Sequence, residues 1–290
     1  MSVNPENSDP VEVSAEGLES RPNNTTVGRQ ALDDTSMMTG DGDPDDVLSK
    51  VPEPTAGFWF VKIVATTLGE VGGNAVSMAL GLGYFLGTVA FAVPLIAAVA
   101  IQLRARTFKP FLYWATITLT TLAGTTLADF FDRSLGIGYA GGALSLFALV
   151  LITLGLWYRS VGTVDVASIR TQKAEGFYWG TIMFSQTLGT ALGDWMADGR
   201  LGYVGSATLI AVTLIVVAGL HLFTKVSKTA LFWAAFVLTR PLGATIANAL
   251  DKAPSKGGLG MSDYAISAVL AVLMVLSVLL IPQRAARERH

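Results

Sequence analysis

Five ionisable side chains, Lys62, Glu70, Asp129, Asp194 and Arg240, lie inside runs of apolar residues, where an uncompensated charge is costly. Counting from Trp59, Trp114, Trp179 and Trp233, the residues 7, 11 and 15 positions later are polar at every place but one. They read Thr66, Glu70, Asn74; Thr121, Thr125, Asp129; Gln186, Thr190, Asp194; and Arg240, Ala244, Asn248. Residues four apart share a helix face, so each set forms a stripe along one helix. Lys62 extends the first stripe one turn earlier, and Asp132, Asp198 and Asp251 extend the other three outward. Carboxylates in such surroundings bind a cation, cycle a proton or neutralise a base. Oxygen donors with no cysteine in the chain favour hard cations such as Mg²⁺, Mn²⁺ or Na⁺ over soft copper. Glu70, Asp129 and Asp194 are therefore the candidate metal or proton carboxylates, with Asn74 and Asn248 as neutral oxygens. Lys62 and Arg240 are the candidate charge partners. Arg240 is expected to pair with Glu70, the one carboxylate at the middle stripe position, which lies about 6 Å deeper by helical rise.

The stripes recur because the chain repeats. Ten residues after each of the four tryptophans stands a glycine: Gly69, Gly124, Gly189 and Gly243. Four further on, Gly73, Ala128, Gly193 and Ala247 complete small-xxx-small pairs, which let helix backbones approach closely. A second landmark follows as Leu82-Gly83-Tyr84, Ile137-Gly138-Tyr139, Leu201-Gly202-Tyr203 and, after an insertion, Leu259-Gly260 with Tyr264. It marks a turn into the second helix of each unit. The spacing predicts an all-α protein of eight spans: 58–78, 84–104, 111–131, 139–159, 177–197, 203–223, 231–250 and 263–281. These group as four tandem two-helix repeats, 57–108, 109–174, 175–228 and 229–282, in a pseudo-fourfold transmembrane bundle over 57–282.

Composition supports the membrane class. The 290 residues are 51% hydrophobic and only 14% charged, with a mean hydropathy of +0.51. Residues 1–55 differ: they hold more than half of the 22 acidic residues, with only Arg21, Arg29 and Lys50 as bases. Their polar composition predicts a disordered acidic tail that is dispensable for folding. An even number of spans puts both termini on one side. Segments on that side carry most of the basic residues, among them Arg104, Lys109, Arg159, Lys173, Lys228 and Arg284, with Arg287 and Arg289 in a short basic tail over 283–290. The opposite side carries Arg133, Arg200, Lys252 and Lys256, so both termini are expected in the cytoplasm.

Absent residue types exclude several chemistries. Without cysteine there is no disulfide, zinc-thiolate site or iron-sulfur cluster. With only His221 and His290, paired-histidine haem ligation is not expected, and His221 reads as a structural residue of an apolar span. No cofactor is expected, and no nucleic acid partner. The four tryptophans read as interfacial anchors, the glycine pairs as packing notches, and Pro241 as a tolerated kink.

Four copies of a unit with a tryptophan followed by Thr-Leu-Gly-x-x-x-Gly-Asp, as in 187–194, resemble a bacterial membrane-protein family named only for its repeat of unknown function. The resemblance covers residues 57–282. It implies the bacterial inner membrane and a four-repeat architecture, and it carries no substrate.

If each tryptophan marks the cytoplasmic interface, helical rise puts Glu70 about 16 Å into a core about 30 Å thick, and Asp129 and Asp194 about 22 Å in. The leading expectation is a secondary transporter or exchanger of a small hard cation, driven by ion gradients, since no nucleotide-binding P-loop is present. Its partners would be a small inorganic cation and the lipid bilayer, with assembly into a homo-oligomer left open. A cation channel is the near alternative. An intramembrane aspartyl protease using Asp129 and Asp194 is a distant one, because Ala191-Leu192-Gly193-Asp194 lacks the first glycine of the GxGD signature and fourfold repetition is not explained by two aspartates. No enzymatic activity is expected. A structural or sensory protein, held together by buried ion pairs along the stripes, is the remaining reading.

Overall fold

Eight helices account for the repeats. They are α1 (Ala56–Asn74), α2 (Gly83–Arg104), α3 (Pro110–Asp129), α4 (Gly138–Val161), α5 (Gln172–Ala197), α6 (Gly202–Phe223), α7 (Lys228–Asp251) and α8 (Asp263–Leu280). This computed structural model describes residues 49–199 and 201–286. The tail expected over 1–55 therefore lies outside the described residues up to position 48, as do Arg200 and the basic residues from 287 onward. Every predicted span coincides with a helix. Helices α1 and α3 each continue into one wider π-helical turn, Ala75–Ala79 and Phe130–Ser134. The second landmark has a backbone cause: Gly83, Gly138, Gly202 and Gly260 all have φ between 62° and 74°, a left-handed turn into the outer helix that a side chain would oppose.

Packing divides the helices into two layers. The first helix of each repeat packs on the first helix of the next, α1 on α3, α3 on α5, α5 on α7 and α7 back on α1, closing a ring of four. The second helices lie outside this ring. Each outer helix packs chiefly on the inner helix of the following repeat: α2 on α3, α4 on α5, α6 on α7, and α8 on α1. The two helices of one repeat are not each other's main partners, so the units are interlocked rather than stacked hairpins.

The glycines explain how the ring closes. A methyl group on Gly69 would strike Thr121, on Gly124 it would meet Gln186, on Gly189 Arg240 and on Gly243 Thr66. Each repeat's notch thus receives the first stripe residue of the next repeat. The packing-notch expectation for these glycines is met, with the partner of each now identified.

Among the described residues five helices, α2, α4, α6, α7 and α8, are long and apolar enough to cross a membrane. The four outer ones present large apolar side chains outward, including Ile96, Leu144, Ile215, Leu222 and Val269. Helices α1, α3 and α5 fall short of that apolarity because they carry the polar stripes, which the outer layer and the ring bury. Helix α7 runs unbroken through Pro241. His221 is exposed on α6, not enclosed, and lines an outward apolar groove of about 840 Å³ between α1, α6 and α7.

The described ends of the two expected tails pack on the bundle. Residues 49–53 and 284–286 pair in an antiparallel bridge, with Glu53 N–H donating to the Arg284 carbonyl and Ala286 N–H to that of Val51, each at 2.8 Å. Val51 is buried, and Lys50 Nζ lies 2.6 Å from Glu175 Oε2. Burial of Val51 and the Lys50–Glu175 ion pair hold this segment on the bundle.

Candidate functional site

The interior of the ring is polar, and its four levels follow from the repeat. At the end where the inner helices begin, an aromatic collar closes the bundle. Phe58 packs on Trp114, Tyr113 on Trp179, Tyr178 on Trp233 and Phe232 on Trp59, with ring centroids 5.4 to 6.2 Å apart. The Tyr113 and Tyr178 hydroxyls are 2.6 Å apart. Trp114, Trp179 and Trp233 are buried, each clasped by the aromatic residue that precedes the tryptophan of the repeat before it, and Trp59 is half-buried.

One turn below, Lys62 is fully buried. Its ammonium donates to the Phe236 carbonyl at 3.1 Å and to Thr239 Oγ1 at 2.8 Å, and stands 3.9 Å from the Phe236 ring centroid. Neutral oxygens and an aromatic face therefore hold it, and it does not pair with Glu70.

At the centre Arg240 reaches across the ring. Its Nη2 lies 2.8 Å from Glu70 Oε2, and it donates to Thr125 Oγ1 and Thr190 Oγ1 at 2.6 Å each; Nη1 donates to the Thr66 carbonyl at 3.5 Å. These partners come from α1, α3 and α5, so the guanidinium sits between all four inner helices. The expected pair with Glu70 is present, through one nitrogen rather than as a two-pronged contact. Thr66 and Thr121 bond across the ring to the carbonyls of Thr239 and Ala65. Gln186, at the same level, is buried with neither amide atom hydrogen-bonded among the described residues.

The last level forms a mouth where the inner helices end. Arg133 joins both aspartates, with Nε 2.8 Å from Asp129 Oδ1 and Nη2 3.1 Å from Asp194 Oδ2. Asn248 Nδ2 donates to Asp194 Oδ1, and Asn74 Nδ2 to Asp251 Oδ2, each at 3.1 Å. Lys252 also donates to Asp251 at 3.1 Å. Both asparagines therefore face carboxylates with their amide nitrogens, not with the oxygens expected of cation ligands. Burial disfavours the Arg133 cation, yet Asp129 and Asp194 outweigh it and hold its pKa above the ordinary arginine value. Lys252 is raised in the same way, burial being overcome by Asp251. Burial lifts the Asp132 carboxyl above the usual carboxylate range against the pull of Arg133.

Among the described residues, no three His, Cys, Asp or Glu side chains converge to hold a metal ion. Of the three candidate carboxylates, Glu70 is engaged by Arg240, and Asp129 and Asp194 by Arg133. Sequence reasoning placed Arg133, Tyr84 and Tyr139 in turns and missed their part in the mouth, where the Arg133 guanidinium carbon lies 5.9 Å from the Tyr84 ring centroid and 6.0 Å from that of Tyr139. The signal was available, since Arg133 follows Asp129 by four residues and a tyrosine recurs after the landmark glycine in three repeats.

A ring of four inner helices, each bearing the same stripe and sheathed by its neighbour's outer helix, defines a four-repeat helical protein. The chain belongs to the family described as Repeat of Unknown Function (DUF347), which matches it four times, over residues 57–108, 112–163, 177–227 and 231–283. Comparison with curated proteins and with solved structures returns no match.

Proposed function

We propose that the protein spans a membrane, the inner membrane of a bacterium with both termini in the cytoplasm, and carries a small cation along the axis of its inner ring. The observation that carries this reading is the continuity of buried polar groups from the Arg133 mouth, through Asp129 and Asp194, to Glu70 and Arg240 at the centre. Apolar outer helices suit a lipid environment, and a large exposed apolar surface is otherwise a liability. Four inner helices end together at the mouth, and helix C-termini favour cations. Buried carboxylates add to that preference.

A carrier fits better than an open channel, because the Arg240 side chain stands across the ring and the aromatic collar closes one end. Opening would require the Arg240 contacts to exchange, as alternating access demands. The protease reading is disfavoured, since Arg133 stands between Asp129 and Asp194 and each carboxyl faces it, whereas the two carboxyls of a dyad share a proton with each other directly.

The test is cation and proton flux in proteoliposomes. Flux should be measurable for the wild type and lost in the double variant Asp129→Asn, Asp194→Asn, which should remain monodisperse because asparagine already serves at positions 74 and 248. Unchanged flux in that variant would remove the aspartates from the pathway, and single-channel currents in planar bilayers would replace the carrier with a channel.

A further inference from the structure

The mouth is built around a guanidinium. Arg133 extends from the π-helical turn that follows α3, and 37% of its side chain remains exposed. Its Nε and Nη2 each face a separate aspartate, while Nη1 donates to the Tyr84 hydroxyl at 3.4 Å. The guanidinium carbon lies 5.9 Å from the Tyr84 ring centroid and 6.0 Å from that of Tyr139. Two carboxylates with two aromatic faces are the recognition chemistry of planar or substituted nitrogen cations, which gain from N–H donation to carboxylates and from the π face together. A bare hard metal ion would instead gather oxygens, and no such cluster forms among the described residues.

A second observation is an orphaned acceptor next to the same carboxylate. Asn248 is 2% exposed and is tied to Asp194 through its nitrogen, yet its Oδ1 has no hydrogen-bond donor among the described residues. A buried acceptor left unmade costs about 1–3 kcal/mol. It belongs to the side chain whose nitrogen bonds the carboxylate that Arg133 engages.

We propose that this mouth binds a small monovalent nitrogen cation, a guanidinium or alkylammonium compound, whose place Arg133 occupies in this structure. Arg133 is a tethered competitor: it is held at one end of a turn, is partly open to the outside, and can leave the two aspartates to an incoming cation of the same charge. For transport the inference rests on the carrier reading and narrows its cargo; for binding it stands on the mouth alone.

The experiment measures thermal unfolding of the purified full-length chain with Arg133→Ala, titrated with methylguanidinium. The variant should melt lower than the wild type, and methylguanidinium should restore most of the loss in a saturable manner. The neutral isostere methylurea and equal concentrations of NaCl or MgCl₂ should not. Adding Asp194→Asn should abolish the rescue, because one wall of the cage is gone. No saturable rescue, or equal rescue by NaCl, overturns the proposal. If Arg133→Ala does not purify, Arg133→Gln is titrated in its place. Failure of both variants to purify even with methylguanidinium present would show that the cation cannot be replaced, and would likewise overturn it. Because binding is read without flux, absence of transport in the wild type would remove the carrier and leave this result standing.

Discussion

Arg240 and Glu70 hold opposite charges at the centre of the ring with almost no access to solvent. Removing one partner of a buried pair typically costs about 3–5 kcal/mol, because the survivor stays charged and unpaired. Arg240→Ala and Glu70→Gln should each lower stability by that order, and the double variant should cost much less than the sum. Chemical unfolding in detergent measures all three, and simple additivity would show that the two are not coupled. Thr125 and Thr190 also accept from the guanidinium, so the double variant should not fully recover the wild-type value. This pair was legible in the sequence because Arg240 is an arginine inside a span and Glu70 the one carboxylate at the middle stripe position. The partners of Asp129 and Asp194 were not. Arg133 lies past the predicted end of its span, where it reads as a solvated loop residue, and only the wider turn over Phe130–Ser134 brings it back over the aspartates.

At the scale of elements, the inner helices touch through their glycine notches, and the notches differ from other glycines in the same helices. A Cβ on Gly243 would come within 2.9 Å of the Thr66 backbone, which cannot move aside as a flexible side-chain tip can. Gly243→Ala should therefore push α7 from α1 and cost about 1–3 kcal/mol, the usual penalty of overpacking. Gly180→Ala, in α5 with nothing within 4 Å of the added methyl, should be neutral or stabilise by about 0.5–1 kcal/mol. Thermal unfolding of the two variants side by side reads the difference, and equal midpoints would deny that the notches set the helix spacing. Periodicity located these notches and the helices bearing them almost to the residue. It could not show which helix covers which, because a helical pattern defines a buried face and not its partner. The interlocking of α2 with α3, or α8 with α1, is therefore a result of the structure alone. The aromatic collar was half legible: the tryptophans announced the repeat, while the Phe or Tyr preceding each one, which turns them inward, went unread.

For the whole molecule, cyclic packing leaves a seam where the chain begins and ends, because α8 must close on α1 without a connecting loop. The segment from Ser49 to Glu53 fastens that seam. Its backbone pairs with residues 284–286 after α8, Ser49 Oγ donates to the Val166 carbonyl at 2.8 Å, and Lys50 reaches Glu175 at the start of α5. The sequence reading missed this role, since seven polar and proline-rich residues before a span carry no periodicity, and a two-residue bridge leaves no pattern to find. A truncation ending at residue 48 removes only the acidic polar stretch and should melt as the full chain does. A truncation ending at residue 55 removes the fastening strand, the Lys50 partner of Glu175 and the Thr55 side chain that caps α1. A lost cap costs about 0.5–2 kcal/mol and an unsatisfied buried carboxylate at least about 1–3 kcal/mol, so the second truncation should unfold at a clearly lower temperature. Lys50→Ala in the otherwise full-length chain should show part of that loss, and Glu175→Gln should lessen it by removing the stranded charge. Coincident melting of the two truncations would mean that the seam between α8 and α1 closes on helix packing alone.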